Sequence, residues 1–190
     1  TAERTAEISY QGKTLPVLDI AFKGDAFNPK NRDFVAAVLL GELAFGNTSD
    51  LYKKLYIQEQ RVESFGASIP SQRDAPLFEV VARVKKEEDL PSIRDEVYAA
   101  IAMFQSTPVD EKKLDAVKKR RKFGFLMNLD TPNKVAGALA YTIAVTGGAE
   151  AVNDFFAQIG LVTPGDIMNA ARKYFTAERR TVVTLKGARQ

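Results

Sequence analysis

The apolar residues of this chain switch between two spacings. Near the N-terminus they alternate. Ala6, Ile8 and Tyr10 are separated by Glu7 and Ser9, and Leu18, Ile20 and Phe22 by Asp19 and Ala21. Alternation puts one set of side chains on each face of a strand, so residues 1–24 predict two strands around a turn at Gln11-Gly12-Lys13. A loop with Gly24, Asn28 and Pro29 follows. The spacing then lengthens to three and four, with Phe34, Val35, Val38, Leu39 and Leu43 on one face, which predicts a helix from about Arg32 to Phe45.

The stretch from Gly46 to Lys85 carries both patterns. Gly46 and Asn47 end the helix, and Ser49 stands where an N-cap belongs, an effect of about 1 kcal/mol. Asp50 in the next turn suits the helix dipole. Leu51 and Leu55 form an i, i+4 pair, with Tyr52 and Tyr56 beside them. From Arg61 the period returns to two. Val62 to Ser68 reads as one strand and Pro76 to Lys85 as another, with Phe78, Val80, Ala82 and Val84 on one face.

Beyond Lys85 the pattern is helical. Asp89 is the expected cap of a helix from Leu90 to Phe104. A helix beginning near Asp110 and Glu111 follows, then one opened by Pro132 and ended at Gly147-Gly148, and a short one from Ala149 to Ile159. Thr163-Pro164 opens the last helix, and Arg180 to Lys186 is the final strand. Adjacent hairpins imply antiparallel pairing, and a run of helices before the last strand argues against a doubly wound parallel sheet. The expectation is an α+β, two-layer fold with an antiparallel sheet and helices packed on one face, as a single domain over residues 1–190.

Composition narrows the chemistry. With 190 residues, 45% hydrophobic and 27% charged, the chain fits an ordinary globular domain. A net charge of +3 does not by itself indicate nucleic acid or membrane. No apolar run reaches the length of a membrane span. The chain begins at Thr1 rather than Met, so a longer parent is expected. There is no cysteine and no histidine. That removes thiolate chemistry, the Ser-His-Asp arrangement and the usual zinc ligand together. Neither G-x-G-x-x-G nor G-x-x-x-x-G-K-[ST] is present, and no serine is marked by a supporting lysine. Glu87-Glu88-Asp89 lacks the spacing and glycine of a calcium loop and reads as a solvated turn. Lys118-Lys119-Arg120-Arg121-Lys122 encircles its helix rather than striping it. It reads as a solvated face more than as a nucleic-acid site, although Phe123 and Phe125 follow it.

The helix-then-hairpin unit resembles the pitrilysin/insulinase-like zinc metallopeptidases, a family that includes the mitochondrial processing peptidase and the respiratory core proteins. The residues carrying the resemblance are Gly46, Ser49, Leu51, Leu55 and the Arg61–Ser68 strand, then Thr163-Pro164-Gly165-Asp166-Ile167, Ala170, Ala171, Tyr174 and Val182-Val183-Thr184-Leu185. They look like the second, non-catalytic half of such an enzyme. The resemblance implies the mitochondrial-processing-peptidase type of fold and no catalytic or metal residue in this chain. The family's H-x-x-E-H site needs histidines that are absent here. It implies a homologous catalytic half, in the same polypeptide or a separate subunit, that supplies zinc and general base. This half would close the substrate chamber and help bind a peptide or unfolded protein. An inactive, peptidase-like scaffold or assembly subunit is the alternative. Relatives with export signals make the periplasm or cell envelope the expected location. In the family's second half an Arg, and a Tyr seven residues later, often contact substrate. Those positions fall on Tyr56 and Glu63. Tyr56 keeps a hydrogen-bonding ring but no cation, and Glu63 reverses the expected character, which argues against direct transition-state assistance. Arg61 nearby offers a cation. Tyr56, Glu63 and Arg61 are therefore the candidate substrate-binding residues.

Overall fold

The computed structural model describes residues 2–187. Their elements are β1 (Arg4–Tyr10), β2 (Val17–Lys23), α1 (Arg32–Phe45), α2 (Asp50–Tyr52), β3 (Val62–Ser68), β4 (Leu77–Val84), α3 (Leu90–Ser106), α4 (Glu111–Met127), α5 (Pro132–Thr146), α6 (Ala151–Leu161), α7 (Pro164–Tyr174) and β5 (Arg180–Gly187). The architecture is α+β, a mixed five-stranded sheet with helices packed against it.

Helix α1 is the centre of the helical layer. The Asn31 side chain caps it, its Oδ1 accepting from the amides of Asp33 and Phe34 at 3.0 and 3.4 Å. At the other end the Gly46 amide donates to the Glu42 carbonyl at 3.1 Å. Phe34 to Gly41, Ala44 and Phe45 are buried, because α3, α4, α6, α7 and β3 all pack around the helix. That setting accounts for its composition. Arg32–Gln58 is long and apolar enough to cross a membrane, but 61% of its most apolar window lies buried inside the fold. Helices α5 and α6 pass the same test only together, across an 85° bend.

The strand order is β1-β5-β2-β4-β3. Three of the pairings are antiparallel, while β1 runs parallel to β5. The expected hairpin between the first two strands is therefore corrected: β5 lies between them, pairing Val182 with Ile20 on one side and with Thr5 on the other. Turn chemistry at Gln11-Gly12-Lys13 reverses the chain but does not dictate which strand fills the gap. The connection then crosses the end of β5. A Cβ at Gly187 would stand 2.8 Å from the Thr14 carbonyl oxygen, so this strand ends on a residue without a side chain.

One face of the sheet makes the core. Leu18, Ile20, Phe22, Phe78, Val80, Ala82, Val84 and Val182 are buried there. Phe78 lies edge-on to Phe34 at 5.8 Å and 5.2 Å from Tyr174, and Phe22 lies 4.9 Å from Phe175. Each such side chain is worth about 1.5–3 kcal/mol of burial. Tyr174 is fully buried, and its hydroxyl donates to Asp25 Oδ2 at 2.6 Å. Lys173 reaches both Asp25 and Asp33, at 3.4 and 2.8 Å, so α7 is fastened to the loop that opens α1. On the opposite face Val17, Val81, Val183 and Leu185 are only half-buried.

Two local expectations are also corrected. The turn after Ser49 does not continue as an α-helix. Ser49 accepts from the Tyr52 amide at 3.1 Å as expected, but from Lys53 to Gln58 the backbone widens into a π-helix. Asp89 occupies the N-cap position of α3 without capping it; its carboxylate faces Arg61 at 4.0 Å instead.

Candidate functional site

All three residues singled out in the sequence lie in the least regular stretch of backbone. The π-helix spans Lys53–Gln58 and carries Tyr56. Gln60 then adopts φ 51, a left-handed conformation uncommon for a residue with a side chain. Finally β3 bulges: Val62 pairs with Val84 and Ser64 with Arg83, so Glu63 is the extra residue. π-bulges and β-bulges insert one residue and re-aim side chains, and they concentrate at functional sites.

Packing explains how the segment keeps this path. Leu55 is fully buried and anchors it, while Tyr56 and Ile57 point outward, 42% and 57% exposed. The Arg61 amide closes the turn on the Leu55 carbonyl at 2.9 Å. Tyr56 stacks on Tyr52, with ring centroids 5.0 Å apart and planes 27° from parallel.

Arg61 is engaged. Its Nε donates to Glu59 at 2.7 Å, one terminal nitrogen donates to Ser92 Oγ at 3.0 Å, and the other is hydrogen-bonded to Glu96. Lys54 reaches the second Glu96 oxygen at 2.8 Å. Burial pushes the Glu96 carboxyl up, but the bonds from Lys54 and Arg61 outweigh it and hold the group below its ordinary value. Arg61 and Lys54, bonded to Ser92 and Glu96, clip the irregular segment to α3. Glu63 belongs to a different environment, paired with Arg83 at 2.9 Å on the face of the sheet away from the helices. The structure thus joins Tyr56 and Arg61 through one segment but sends Glu63 to the other side of the strand.

Beside the Lys54–Glu96 pair opens a cleft of about 550 Å³, walled by Leu43, Leu51, Ala100, Met103 and Phe104. It can accept an apolar group while offering charge at its rim. Lys54 and Glu96 were not singled out from the sequence. Their roles depend on α3 coming beside the π-helix, which no local pattern signals. Among the described residues, no group of three or more Asp, Glu, His or Cys side chains is placed to hold a metal ion. A zinc ion does not fit this chain's donors, and no step is derived through one.

Residues 2–121 match a family model described as the peptidase M16 inactive domain. The chain is 25% identical over 184 residues to the zinc protease PqqE of Helicobacter pylori, covering 96% of this chain and 41% of that protein. It therefore spans well under half the length of that curated relative. Among solved structures, a protease from Helicobacter pylori superposes with a TM-score of 0.86 at 24% identity, over 97% of this chain and 44% of the other. The inactive peptidase domain of a zinc protease from Bordetella parapertussis gives 0.76 at 18% identity, over 91% and 92%.

Proposed function

Because the chain belongs to the M16 peptidase inactive-domain family, we propose that it is the non-catalytic half of a two-half zinc endopeptidase. In this reading its 190 residues act as one domain. A homologous catalytic half, in the same polypeptide or a separate subunit, supplies zinc and the general base. This half closes the chamber in which a peptide or unfolded segment is held. The observation that carries the reading is the inactive-domain match on a chain with no histidine.

Two features of the surface support it. The first is the outer face of the sheet. Val17, Val81, Val183 and Leu185 are half-buried there around Asp19, whose Oδ1 has no hydrogen-bond donor among the described residues. Burial, and then the neighbouring Glu79, push the Asp19 carboxyl up. Half-covered apolar residues around an unpaired carboxyl suit a face that a partner half completes. The second is the free edge at β3, where an extended peptide can add as a further strand. The Tyr56 ring beside that edge is the substrate contact. Arg61 acts by holding the segment in place, and Glu63 by tying the bulge to Arg83.

Sedimentation of this chain mixed with its catalytic half tests the pairing. A 1:1 complex is expected, weakened at least tenfold by Val183→Glu on the outer face. Two halves that sediment separately would end the proposal. A complex that forms but neither holds zinc nor cuts peptide would replace it with the scaffold reading.

A further inference from the structure

A run of aromatic rings that joins the core through Phe27 and Phe34 lines a second cleft. Phe27, Phe125, Phe155 and Phe156 surround a space of about 490 Å³ between α4, α5 and α6. Phe125 lies 4.9 Å from Phe156, Phe155 lies 5.6 Å from Phe156, and Phe27 lies 5.7 Å from Phe155. The Tyr141 hydroxyl donates to the Ser71 carbonyl at 2.7 Å and ties α5 across one end. Helix α5 buries none of its residues despite its apolar sequence, so the space beside it stays open.

Two further observations say what fits there. The first is Gly124. It lies inside α4, where glycine weakens a helix, and it lines the cleft. A Cβ at this position would meet nothing within 4 Å, so no close backbone approach demands a glycine. What the missing side chain leaves is room. The second is charge. The charged lining residues are Glu42, Arg120 and Arg121. Arg121 is ion-paired with Glu42 and lies over the Phe155 ring at 5.8 Å. Among the described residues Arg120 donates to the Thr48 hydroxyl and makes no ion pair. Of the described charged residues that line the cleft, Arg120 is thus left as a cation without an ion pair beside an aromatic floor.

We infer that this cleft anchors a polypeptide segment presenting a bulky apolar side chain followed by an acidic one. The apolar group fills the space beside Gly124 against Phe125 and Phe155, and the carboxylate pairs with Arg120. A charge-assisted bond from guanidinium to carboxylate gives direction to an otherwise greasy contact. The inference rests on the peptide-binding part of the proposed function, and deepens it by naming a side-chain preference.

The test uses the 190-residue chain alone and two capped hexapeptides, one with a central phenylalanine–glutamate pair and one with phenylalanine–lysine. Amide spectra of the labelled chain are followed during each titration. The expected result is saturable shifts at Gly124, Val145 and Phe155, with at least fivefold tighter binding of the glutamate peptide. Gly124→Leu, which extends a side chain from a position where a Cβ meets no atom within 4 Å, should weaken binding at least tenfold with an unchanged or higher melting temperature. Arg120→Glu should reverse the preference between the peptides. Absence of binding, equal binding by the Gly124→Leu protein, or shifts that depend on chain concentration without peptide would each overturn the inference. The outcomes separate the two proposals. Stimulation of a catalytic half that Gly124→Leu leaves intact sinks the cleft alone, whereas binding here without any pairing of halves sinks the proposed function alone.

Discussion

At the scale of single residues, polar groups are held where they close the fold. The Tyr174 hydroxyl is pushed from its ordinary 10.0 up to about 12 by burial and by its bond to Asp25. The folded state holds that proton more tightly than the unfolded chain does. Its stabilisation is therefore fully present below about pH 10 and is lost as pH rises through about 12. Burial lifts the Asp25 carboxyl, but Tyr174, Lys173 and Arg179 together hold it below its ordinary 3.8. Its contribution runs the other way, present above that value and lost as pH falls through the lower folded one. Tyr174→Phe should cost about 2 kcal/mol in urea unfolding at neutral pH. It should also remove most of the extra loss between pH 10 and 12; an unchanged alkaline slope would contradict the assignment. Arg61→Ala should cost about 1–2 kcal/mol, since it leaves the half-buried Glu96 with Lys54 alone. Glu63→Ala, removing an exposed pair with Arg83, should stay within about 0.5 kcal/mol. Equal losses from the two would contradict their different settings.

At the scale of elements, legibility followed locality. The helix at Arg32–Phe45 and the strand at Val62–Ser68 are read directly from spacing, because the periods of 3.6 and 2 are written in neighbouring residues. The π-helix was not legible. Leu51 and Leu55 at i, i+4 suit an α-turn equally well, and the widened turn instead carries Leu55 fully buried in the core. Gln60 gave no signal either, since left-handed turns are usually marked by glycine or asparagine and this residue is neither, yet adopts φ 51. That conformation predicts a divergent pair of variants. Gln60→Gly should stabilise by about 0.5–1 kcal/mol, and Gln60→Val should destabilise by more than about 1 kcal/mol. Thermal unfolding of both checks it, and matching shifts of one sign would show that the backbone is not held as described.

At the scale of the whole molecule, the sequence conveyed the layers but not the order within them. Which strand lies beside which is a non-local choice: β5, last in the chain, inserts between the first two strands and runs parallel to one of them. The two clefts were hidden for the same reason, since their walls come from α1 to α4 in one case and from α4 to α6 with Phe27 in the other. The candidate residues Tyr56, Arg61 and Glu63 could be named by counting, but only the fold separates an exposed ring from an engaged cation and a bulge residue. The proposed function has this chain completing a catalytic half that it cannot replace. The most direct test is kcat/KM of the isolated catalytic half on a quenched peptide, measured as this chain is titrated in. A saturable rise is expected that reaches its plateau at one equivalent and vanishes when zinc is chelated. A rate that stays flat across the titration would contradict it.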